Sequence, residues 1–378
     1  MIDRKSDEFW RSIGALMSEH PVRFRWAILG TGGVSRKFAA DLRTLPGHDI
    51  VAVASRSPEN ADRFARETGA EAMDYERAAA CRDADAVYVA TPPSLHEVHA
   101  CAAIAAGKAV LVEKPFAFDA EAAARIRDAA RSAGVFCMEA MWTRFLPLMD
   151  RLREEIAAGR LGPLRGFVGG FTDNALPDPA DSLFDPARGG GALMHRGLYP
   201  VSLARHFMGP VVETRAMARL GPTGVDEDVT LSLRHESGAV STVTAGLRAA
   251  GLNRATLHGE AATVEIAPPI YRPFAARVLS MTPRVGGTGG SGAQGGRLSR
   301  LKETGLAQGA NQWLTPLKDA LRPPGRGIAA RYRGNGYGHE AQAVATAVAA
   351  GQTEHPLMPL DESVEIMAII DAARAQWA

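Results

Sequence analysis

The sequence predicts an α/β fold: an N-terminal doubly wound parallel sheet of the Rossmann type, then a C-terminal α+β domain with an open, mostly antiparallel sheet. Three observations predict this. Short apolar runs alternate with amphipathic segments up to residue 142, two-residue alternation dominates residues 212–267, and a glycine-rich loop directly follows the first apolar run. A chain of 378 residues is also long for one core and is expected to form two domains.

The apolar runs of the N-terminal half are expected to form parallel strands, because a sheet covered by helices on both faces is apolar throughout. These runs are WAIL (26–29), IVAVAS (50–55), AVYVAT (86–91), AVLVEK (109–114) and VFCMEA (135–140). Helices are predicted between them over 58–68, 94–106 and 119–133. Ser57 is expected to cap the first of these helices. We assign 1–22 to an N-terminal extension and 23–142 to this domain, whose ligand should lie beyond the carboxyl ends of the strands.

Residues 143–378 are assigned to the second domain, which is expected to bind the substrate and form subunit contacts. Antiparallel hairpins are predicted over 212–267, and their open face needs a helix or a second subunit to cover it. Other elements are predicted as a strand over 167–172 and helices over 146–158, 199–207, 340–350 and 361–375. The segment 281–333 has a glycine-rich run and nine basic against two acidic residues. It is expected to be a mobile insertion, either a solvated loop or a lid that attracts phosphate.

Composition and charge exclude several classes of protein. A net charge of +1 gives no electrostatic reason to expect binding to nucleic acid or to an anionic membrane, and no apolar stretch is long enough to span one. Cys81, Cys101 and Cys137 form no CxxC pair, which argues against a disulfide framework and a structural zinc site. The N-terminus has no signal-peptide pattern. We therefore expect a soluble cytoplasmic protein without a bound metal.

A glycine loop marks the expected cofactor site. Gly30-Thr31-Gly32-Gly33-Val34-Ser35 follows the first strand and opens a helix. Gly30 permits the tight turn, and Gly32 lets the backbone approach a pyrophosphate, to which the helix N-terminus offers free N–H groups. In this strand–turn–helix context the loop indicates a dinucleotide.

The end of the second strand distinguishes the two nicotinamide dinucleotides. An Asp or Glu there usually binds the free ribose hydroxyls, but this chain has Ser55-Arg56-Ser57 and no carboxylate before Glu59. Arg56 can pair with a 2′-phosphate and stack on adenine. The sequence therefore predicts NADP(H), and NAD(H) is the less favoured alternative.

Candidate catalytic residues come from both domains. Lys114 follows Glu113 at a strand end, where its charge can stabilise a developing alkoxide. In the second domain, His195 and Tyr199 are four residues apart and are expected to share a helix face. A phenol beside a lysine can relay a proton, since the lysine charge should lower the pKa of the tyrosine. The preceding glycines, 189–191, are expected to let the backbone approach a ligand.

Other residues have two interpretations. His96 either lies near the nicotinamide or caps a helix turn. Trp142 and Arg144 either wall a substrate pocket, with Arg144 as the polar anchor, or form an interdomain packing cluster in which the arginine is paired.

Seven segments resemble a known family: ILGTGGVS (28–35), VASRS (53–57), VATPPSLHEVHA (89–100), VEKP (112–115), MEAMWTRFLP (138–147), GGGALMHRGLYP (189–200) and the C-terminal GNGYGHEAQAV with HPLMPLDES. On these segments the chain resembles the glucose-fructose oxidoreductase/inositol dehydrogenase/rhizopine catabolism family. Within it, MEAMWTRFLP after an EKP strand resembles the branch of dihydrodiol dehydrogenases and NADP-dependent xylose dehydrogenases. The resemblance covers about residues 24–280 and 334–376.

The resemblance implies roles for several residues. Lys114 corresponds to the catalytic lysine, Tyr199 to the acid/base tyrosine and Arg56 to the NADP-selecting arginine. Cofactor contacts are expected to include, besides the glycine loop, Ser55, Thr91, Pro92, His96 and Glu113. A homodimer or homotetramer formed through the C-terminal sheet is also implied. One departure is that His195 stands where the family usually has a substrate-positioning Asp.

These observations favour an oxidoreductase that transfers hydride between NADP(H) and a CH–OH or C=O carbon of a sugar, polyol or cyclic diol. The first alternative is a non-catalytic NADP(H)-binding sensor on the same fold, because fold does not fix function. The second alternative is an enzyme whose tightly held cofactor shuttles between two substrates.

Overall fold

The computed structural model describes residues 23–178, 181–251, 253–280 and 325–377. Its first sheet has six strands in the order β3-β2-β1-β4-β5-β6, and all of its strand pairs are parallel. The strands are β1 (Phe24–Leu29), β2 (His48–Ala54), β3 (Glu71–Met73), β4 (Ala86–Val89), β5 (Ala109–Glu113) and β6 (Cys137–Ala140). The predicted doubly wound sheet is therefore confirmed.

Helices join these strands. They are α1 (Gly33–Leu42), α2 (Pro58–Thr68), α3 (Tyr75–Ala79), α4 (His96–Ala105) and α5 (Ala120–Ala133). Ser57 caps α2 as predicted, since its Oγ accepts a hydrogen bond from the Asn60 N–H at 3.2 Å. The helix predicted from residue 94 instead starts with a 3₁₀ turn (Pro93–Leu95), and α4 follows it. The sequence did not predict β3 and α3, because elements of three and five residues carry little periodicity.

The second sheet has eight strands in the order β14-β13-β12-β11-β7-β10-β9-β8. Only the β7–β10 pair is parallel, so the predicted open, mostly antiparallel sheet is also confirmed. Its strands are β7 (Leu164–Thr172), β8 (Val211–Leu220), β9 (Asp226–His235), β10 (Val240–Gly246), β11 (Ala255–Gly259), β12 (Ala262–Ile266), β13 (Ala275–Ser280) and β14 (Arg326–Ala329).

Four longer helices accompany this sheet: α6 (Pro147–Ala157), α7 (Leu198–Met208), α8 (Tyr337–Ala349) and α9 (Leu360–Arg374). The α7 helix packs on β7 and β10. In contrast, α8 contacts α1 and α9 contacts α5, so the end of the chain returns to the first domain. The boundary at residues 142–143 stays a prediction. No helix of the described residues is long and apolar enough to cross a membrane.

The insertion was predicted to extend to residue 333, but a strand already begins at Arg326. Residues 326–329, which we had placed inside it, form β14 and pair with β13 at the edge of the sheet. The strand has no recognisable apolar pattern, because a short edge strand can be held by one apolar residue that faces the core, here Ile328. The basic and glycine-rich sequence around it therefore predicted an insertion. The predicted mobility of 281–324 and the N-terminal extension 1–22 fall outside the described residues.

Candidate active site

The glycine loop after β1 is open on the side where a ligand would lie. Gly30 has a φ of +108°, and a Cβ there would lie 2.3 Å from the Ala90 carbonyl oxygen. At Gly32 and Gly33 a Cβ would meet nothing within 4 Å. Gly32 is the N-cap residue of α1 and makes no side-chain cap, so the first N–H groups of the helix remain available. This loop fits a pyrophosphate, which binds to such donors and to the positive end of the helix dipole.

The adenosine end of the site contains the predicted Arg56. This side chain is exposed beyond β2, and no ion pair engages it within the part of the chain that the structure describes. Beside it, the hydroxyls of Thr31 and Ser55 are 3.1 Å apart. Val34 is 37% exposed on the first turn of α1. The guanidinium is therefore free to bind a phosphate.

His96 ties together two loops at the carboxyl ends of the strands. It is buried, with Nε2 2.7 Å from the Thr91 carbonyl oxygen and Nδ1 2.8 Å from that of Pro115. Burial lowers the pKa of His96 to about 4, so the neutral ring donates to one of these carbonyls. These contacts make His96 a brace between the loops that carry Thr91, Pro92 and Lys114, and its proximity to the nicotinamide stays a prediction.

Lys114 reaches across to the second domain. Its Nζ lies 4.9 Å from the centre of the Tyr199 ring. Burial lowers the pKa of Lys114, and the neighbouring Glu113 opposes that shift. Glu113 is itself buried; its Oε1 accepts a hydrogen bond from the Tyr88 hydroxyl at 2.5 Å, and its Oε2 accepts one from the Lys114 N–H at 3.1 Å. Glu113 is therefore paired inside the protein, and it affects the site through the negative charge that it places beside Lys114.

Tyr199 lies in the first turn of α7 and is 6% exposed. The Trp142 Nε1–H is 3.4 Å from its hydroxyl oxygen. We expected a lysine charge to lower the pKa of this tyrosine, and that expectation is wrong. Burial raises the pKa of Tyr199 well above its usual value, and Glu113 adds to this, while Trp142 and Arg196 oppose it. The phenol therefore stays protonated at neutral pH, as a tyrosine with its ordinary pKa also would.

His195 lies in a π-helical turn (Leu193–Gly197) that precedes α7, so the expected single regular helix is interrupted here. The carbonyl of Gly189 accepts a hydrogen bond from the ring, whereas the buried Nε2 has no partner among the described residues. The ring proton is therefore on Nδ1, and Nε2 presents a lone pair. Burial, with Lys114 and Arg196 nearby, lowers the pKa of His195 to about 3. The ring stays neutral.

The glycines before this turn serve packing against the protein, which corrects our expectation that they admit a ligand. Gly191 has a φ of +120°, and a Cβ there would lie 2.2 Å from Asp226 Oδ1. At Gly190 it would lie 2.8 Å from the backbone of Asp185 and Leu183. Asp226 Oδ2 in turn accepts the Leu193 N–H at 2.7 Å, which fixes the start of the π-helical turn.

Arg144 does not line the pocket, which corrects its predicted role as substrate anchor. The side chain is fully buried. Its Nε donates to Ser202 Oγ at 2.8 Å, Nη2 to the Ser202 carbonyl at 2.7 Å and Nη1 to the Leu357 carbonyl at 3.0 Å, and it forms an ion pair with Glu362. The alternative interpretation, a packing cluster with a paired arginine, fits these contacts.

Aromatic side chains surround Tyr199. Trp142 stacks on Tyr337 at 4.6 Å, and Phe171 stacks on Tyr271 at 4.9 Å and lies 5.7 Å from Tyr199. Sequence reasoning identified Trp142 but gave no role to the other three. Tyr337 stands in the motif GNGYGHE, which was a usable signal, whereas Phe171 and Tyr271 carry none in their surroundings.

Lys114, Tyr199 and Trp142 are therefore in contact, and Lys114 acts electrostatically on His195. Lys114 and the dinucleotide loop follow β5 and β1, so both lie at the carboxyl edge of the first sheet. This combination defines a class: two-domain oxidoreductases that use a nicotinamide dinucleotide. Comparison with family models agrees. Residues 24–141 match "Oxidoreductase family, NAD-binding Rossmann fold", and residues 149–265 match "GFO/IDH/MocA C-terminal domain". The chain belongs to this GFO/IDH/MocA oxidoreductase family, which confirms the predicted family and enzyme class.

Several relatives are named as enzymes. Trans-1,2-dihydrobenzene-1,2-diol dehydrogenase of Macaca fuscata fuscata is 34% identical over 255 residues, covering 66% of this chain and 76% of that enzyme. D-xylose 1-dehydrogenase (NADP(+)) of Hypocrea jecorina is 28% identical over 403 residues, covering 96% and 94%. The solved structure of the 3-ketoreductase KijD10 from Actinomadura kijaniata has the same fold, with a TM-score of 0.74, 23% identity and coverage of 93% and 97%.

Proposed function

We propose that this protein catalyses hydride transfer between NADP(H) and a CH–OH or C=O carbon of a sugar, polyol or cyclic diol. The proposal rests on the contact between Lys114 and Tyr199, in which Lys114 Nζ lies 4.9 Å from the centre of the Tyr199 ring. This contact joins the cofactor domain to the second domain. The substrate class is supported by the two relatives at 34% and 28% identity, a diol dehydrogenase and a sugar dehydrogenase.

The cofactor is NADP(H). Gly32 and Gly33 leave room for the pyrophosphate, and the exposed guanidinium of Arg56 suits a 2′-phosphate that an acidic residue would repel. The xylose dehydrogenase relative is named for NADP(+). When bound, the nicotinamide ring of this cofactor supplies or accepts the hydride.

The protein's own residues hold the substrate oxygen and move its proton. Tyr199 is protonated at neutral pH and donates its proton to the oxygen during carbonyl reduction. Lys114 stabilises negative charge that develops on the same oxygen. The neutral His195 accepts a hydrogen bond at Nε2 from a second substrate hydroxyl, a task that its unpartnered lone pair suits. Trp142 contacts the Tyr199 hydroxyl and closes the pocket.

Lys114→Met tests the proposal. We expect turnover to fall by about 100- to 10,000-fold, because both charge stabilisation and proton transfer support are removed. The affinity for NADPH should change little. Lys108→Met is the matched control, since Lys108 immediately precedes the opposite end of β5 and donates to the Ala84 carbonyl at 2.8 Å. Turnover is followed by nicotinamide absorbance with a panel of sugars, polyols and diols. Full turnover by Lys114→Met would refute its role.

The same panel separates this function from its alternatives. Tight NADPH binding without turnover of any substrate would favour a non-catalytic sensor. Nucleotide retained through purification would favour an enzyme that shuttles a held cofactor between two substrates.

We also propose that the protein is a homodimer or homotetramer formed through the second sheet. The outward face carries exposed Val168, Thr230, Thr244 and Met217, the last 81% exposed, and no described element covers it. Met217→Glu should therefore reduce the mass measured by light scattering, and an unchanged mass would contradict this interface. A cytoplasmic location is supported by the three cysteines, all of which are free.

A further inference from the structure

Arg196 is a cation at the site that the proposed chemistry does not use. Its guanidinium carbon lies 5.1 Å above the Phe171 ring. Phe171 is 5.7 Å from Tyr199, whose ring lies 4.9 Å from Lys114 Nζ. The positive charge of Arg196 lowers the pKa of both Lys114 and His195, so the three side chains act within electrostatic reach of one another.

One donor of this guanidinium is paired and another is not. Nη2 donates to Asp173 at 3.2 Å, and the Asp173 side chain is 54% exposed, so water screens much of its charge. The Nε atom is buried and has no hydrogen-bond partner among the described residues. A buried N–H of a charged group without a partner is costly, which makes it a feature that a ligand atom would satisfy.

The chemistry of the donors selects the ligand. Arg196 offers one unpartnered N–H at Nε, and Lys114 supplies a second positive charge nearby. A carboxylate carries one charge and can accept a hydrogen bond from that N–H through one of its oxygens. A phosphate ester carries nearly two charges and three oxygens, and it needs more donors than Arg196 Nε and Lys114 provide. His195 Nε2 presents a lone pair and therefore suits a hydroxyl beside the acidic group.

We propose that the substrate carries a carboxylate close to the carbon that exchanges hydride, and that Arg196 binds it. The substrate class is then a sugar acid or a related polyhydroxy acid rather than a neutral sugar. This inference rests on the proposed function for its reaction, but it concerns which molecules the site accepts.

Matched substrates test the charge preference. D-Glucuronate is compared with D-glucose, and D-gluconate with D-glucitol, each with the nicotinamide cofactor in the required redox state. We expect the carboxylate member of a pair to have a kcat/KM at least about tenfold higher, as expected for one hydrogen bond to a charged group. D-Glucose 6-phosphate is the phosphate arm. Equal values within each pair, or a preference for the phosphate ester, would overturn the inference.

Two variants assign the preference to Arg196. Arg196→Gln should reduce the carboxylate-to-neutral ratio by about 10- to 100-fold, mainly through KM, and Arg196→Lys should restore part of it. Asp173→Asn removes the exposed partner alone and should keep the ratio. If Arg196 only forms a structural ion pair with Asp173, Arg196→Gln and Asp173→Asn would have the same effect, which contradicts the proposal.

Calorimetric binding to the NADPH-saturated protein separates this inference from the proposed function. Selective binding of glucuronate over glucose, lost in Arg196→Gln, supports the inference even if no turnover occurs. Turnover of substrates without charge selection in binding refutes the inference and leaves the proposed function in place. Absence of both turnover and selective binding refutes both.

Discussion

The two glycine-rich loops of this protein have opposite uses. In the loop after β1, Gly32 and Gly33 face open space, and a side chain there would touch no other residue. In the loop at 189–191, the space beside Gly190 and Gly191 is filled by Asp185, Leu183 and Asp226. The first loop leaves room for a ligand, whereas the second packs against other residues of the same chain.

This difference shows that a glycine run by itself does not indicate a ligand site. What distinguishes the loops is the element that follows. Residue 33 begins a regular α-helix whose N–H groups are free, whereas residue 193 begins a π-helical turn whose first N–H is bound by Asp226. The second loop serves the site indirectly, because it positions His195 and Tyr199.

Gly191→Ala should have the largest effect. A Cβ at φ +120° would both strain the backbone and overlap Asp226, so we expect the free energy of unfolding to fall by about 3 kcal/mol or more. Gly134→Ala is the control: it has a φ of +64° and open space, and it should lose only about 1 kcal/mol. Thermal unfolding measures both. Equal losses would show that Asp226 does not require the glycine.

The pH dependence of stability tests the Asp226 contact itself. Burial raises the pKa of Asp226 to about 6, and the Leu193 N–H opposes this. The folded protein thus holds a proton that the unfolded chain releases near pH 4, so this stabilisation is present below about pH 4 and is lost as pH rises through 6. The loss is about 2–3 kcal/mol.

Asp226→Asn should lack this contribution, and the difference from the unmodified protein, measured by denaturant unfolding between pH 4 and 7, isolates it. Asp228→Asn on the same strand is the control and should leave the slope in place. A slope that is unchanged in Asp226→Asn would mean that other buried carboxyls cause it.

Gly32→Ala probes the open loop. Gly32 has a φ of −73°, so alanine fits the backbone and the unfolding temperature of the ligand-free protein should not change. The methyl group occupies the space that a pyrophosphate needs, and the affinity for NADPH should fall by about 10- to 100-fold. Calorimetric titration measures it. Gly327→Ala in β14, also in open space, should retain affinity. If Gly32→Ala lowered the unfolding temperature but kept full affinity for NADPH, the loop would serve packing rather than cofactor binding.

Arg56→Gln should have the smallest effect. The ratio of NADPH to NADH affinity should fall by about tenfold, because one charge-assisted contact to the 2′-phosphate is removed. High salt should reduce the ratio of the unmodified protein as well. Arg63→Gln on the exposed face of α2 is the control. If Arg56→Gln left the ratio of NADPH to NADH affinity unchanged, Arg56 would not be the residue that selects NADP.

Most of the fold followed from local patterns. The helix over 58–68 and the five longer strands of the first sheet lie where the periodicity placed them, since each is set by consecutive residues. Arg144 could not be interpreted in the same way. Its partner Glu362 is 218 residues away, and nothing near Arg144 in the chain indicates that a carboxylate will reach it.

The sequence by itself determined the dinucleotide loop, the arginine that follows β2 and the class of enzyme, because these depend on the backbone conformation and charge of adjacent residues. Only the tertiary structure decided that the pKa of Tyr199 is raised rather than lowered, that His195 presents a lone pair and that Gly191 packs against Asp226. Those properties depend on burial and on contacts between residues distant in the chain, and burial is a property of the folded whole.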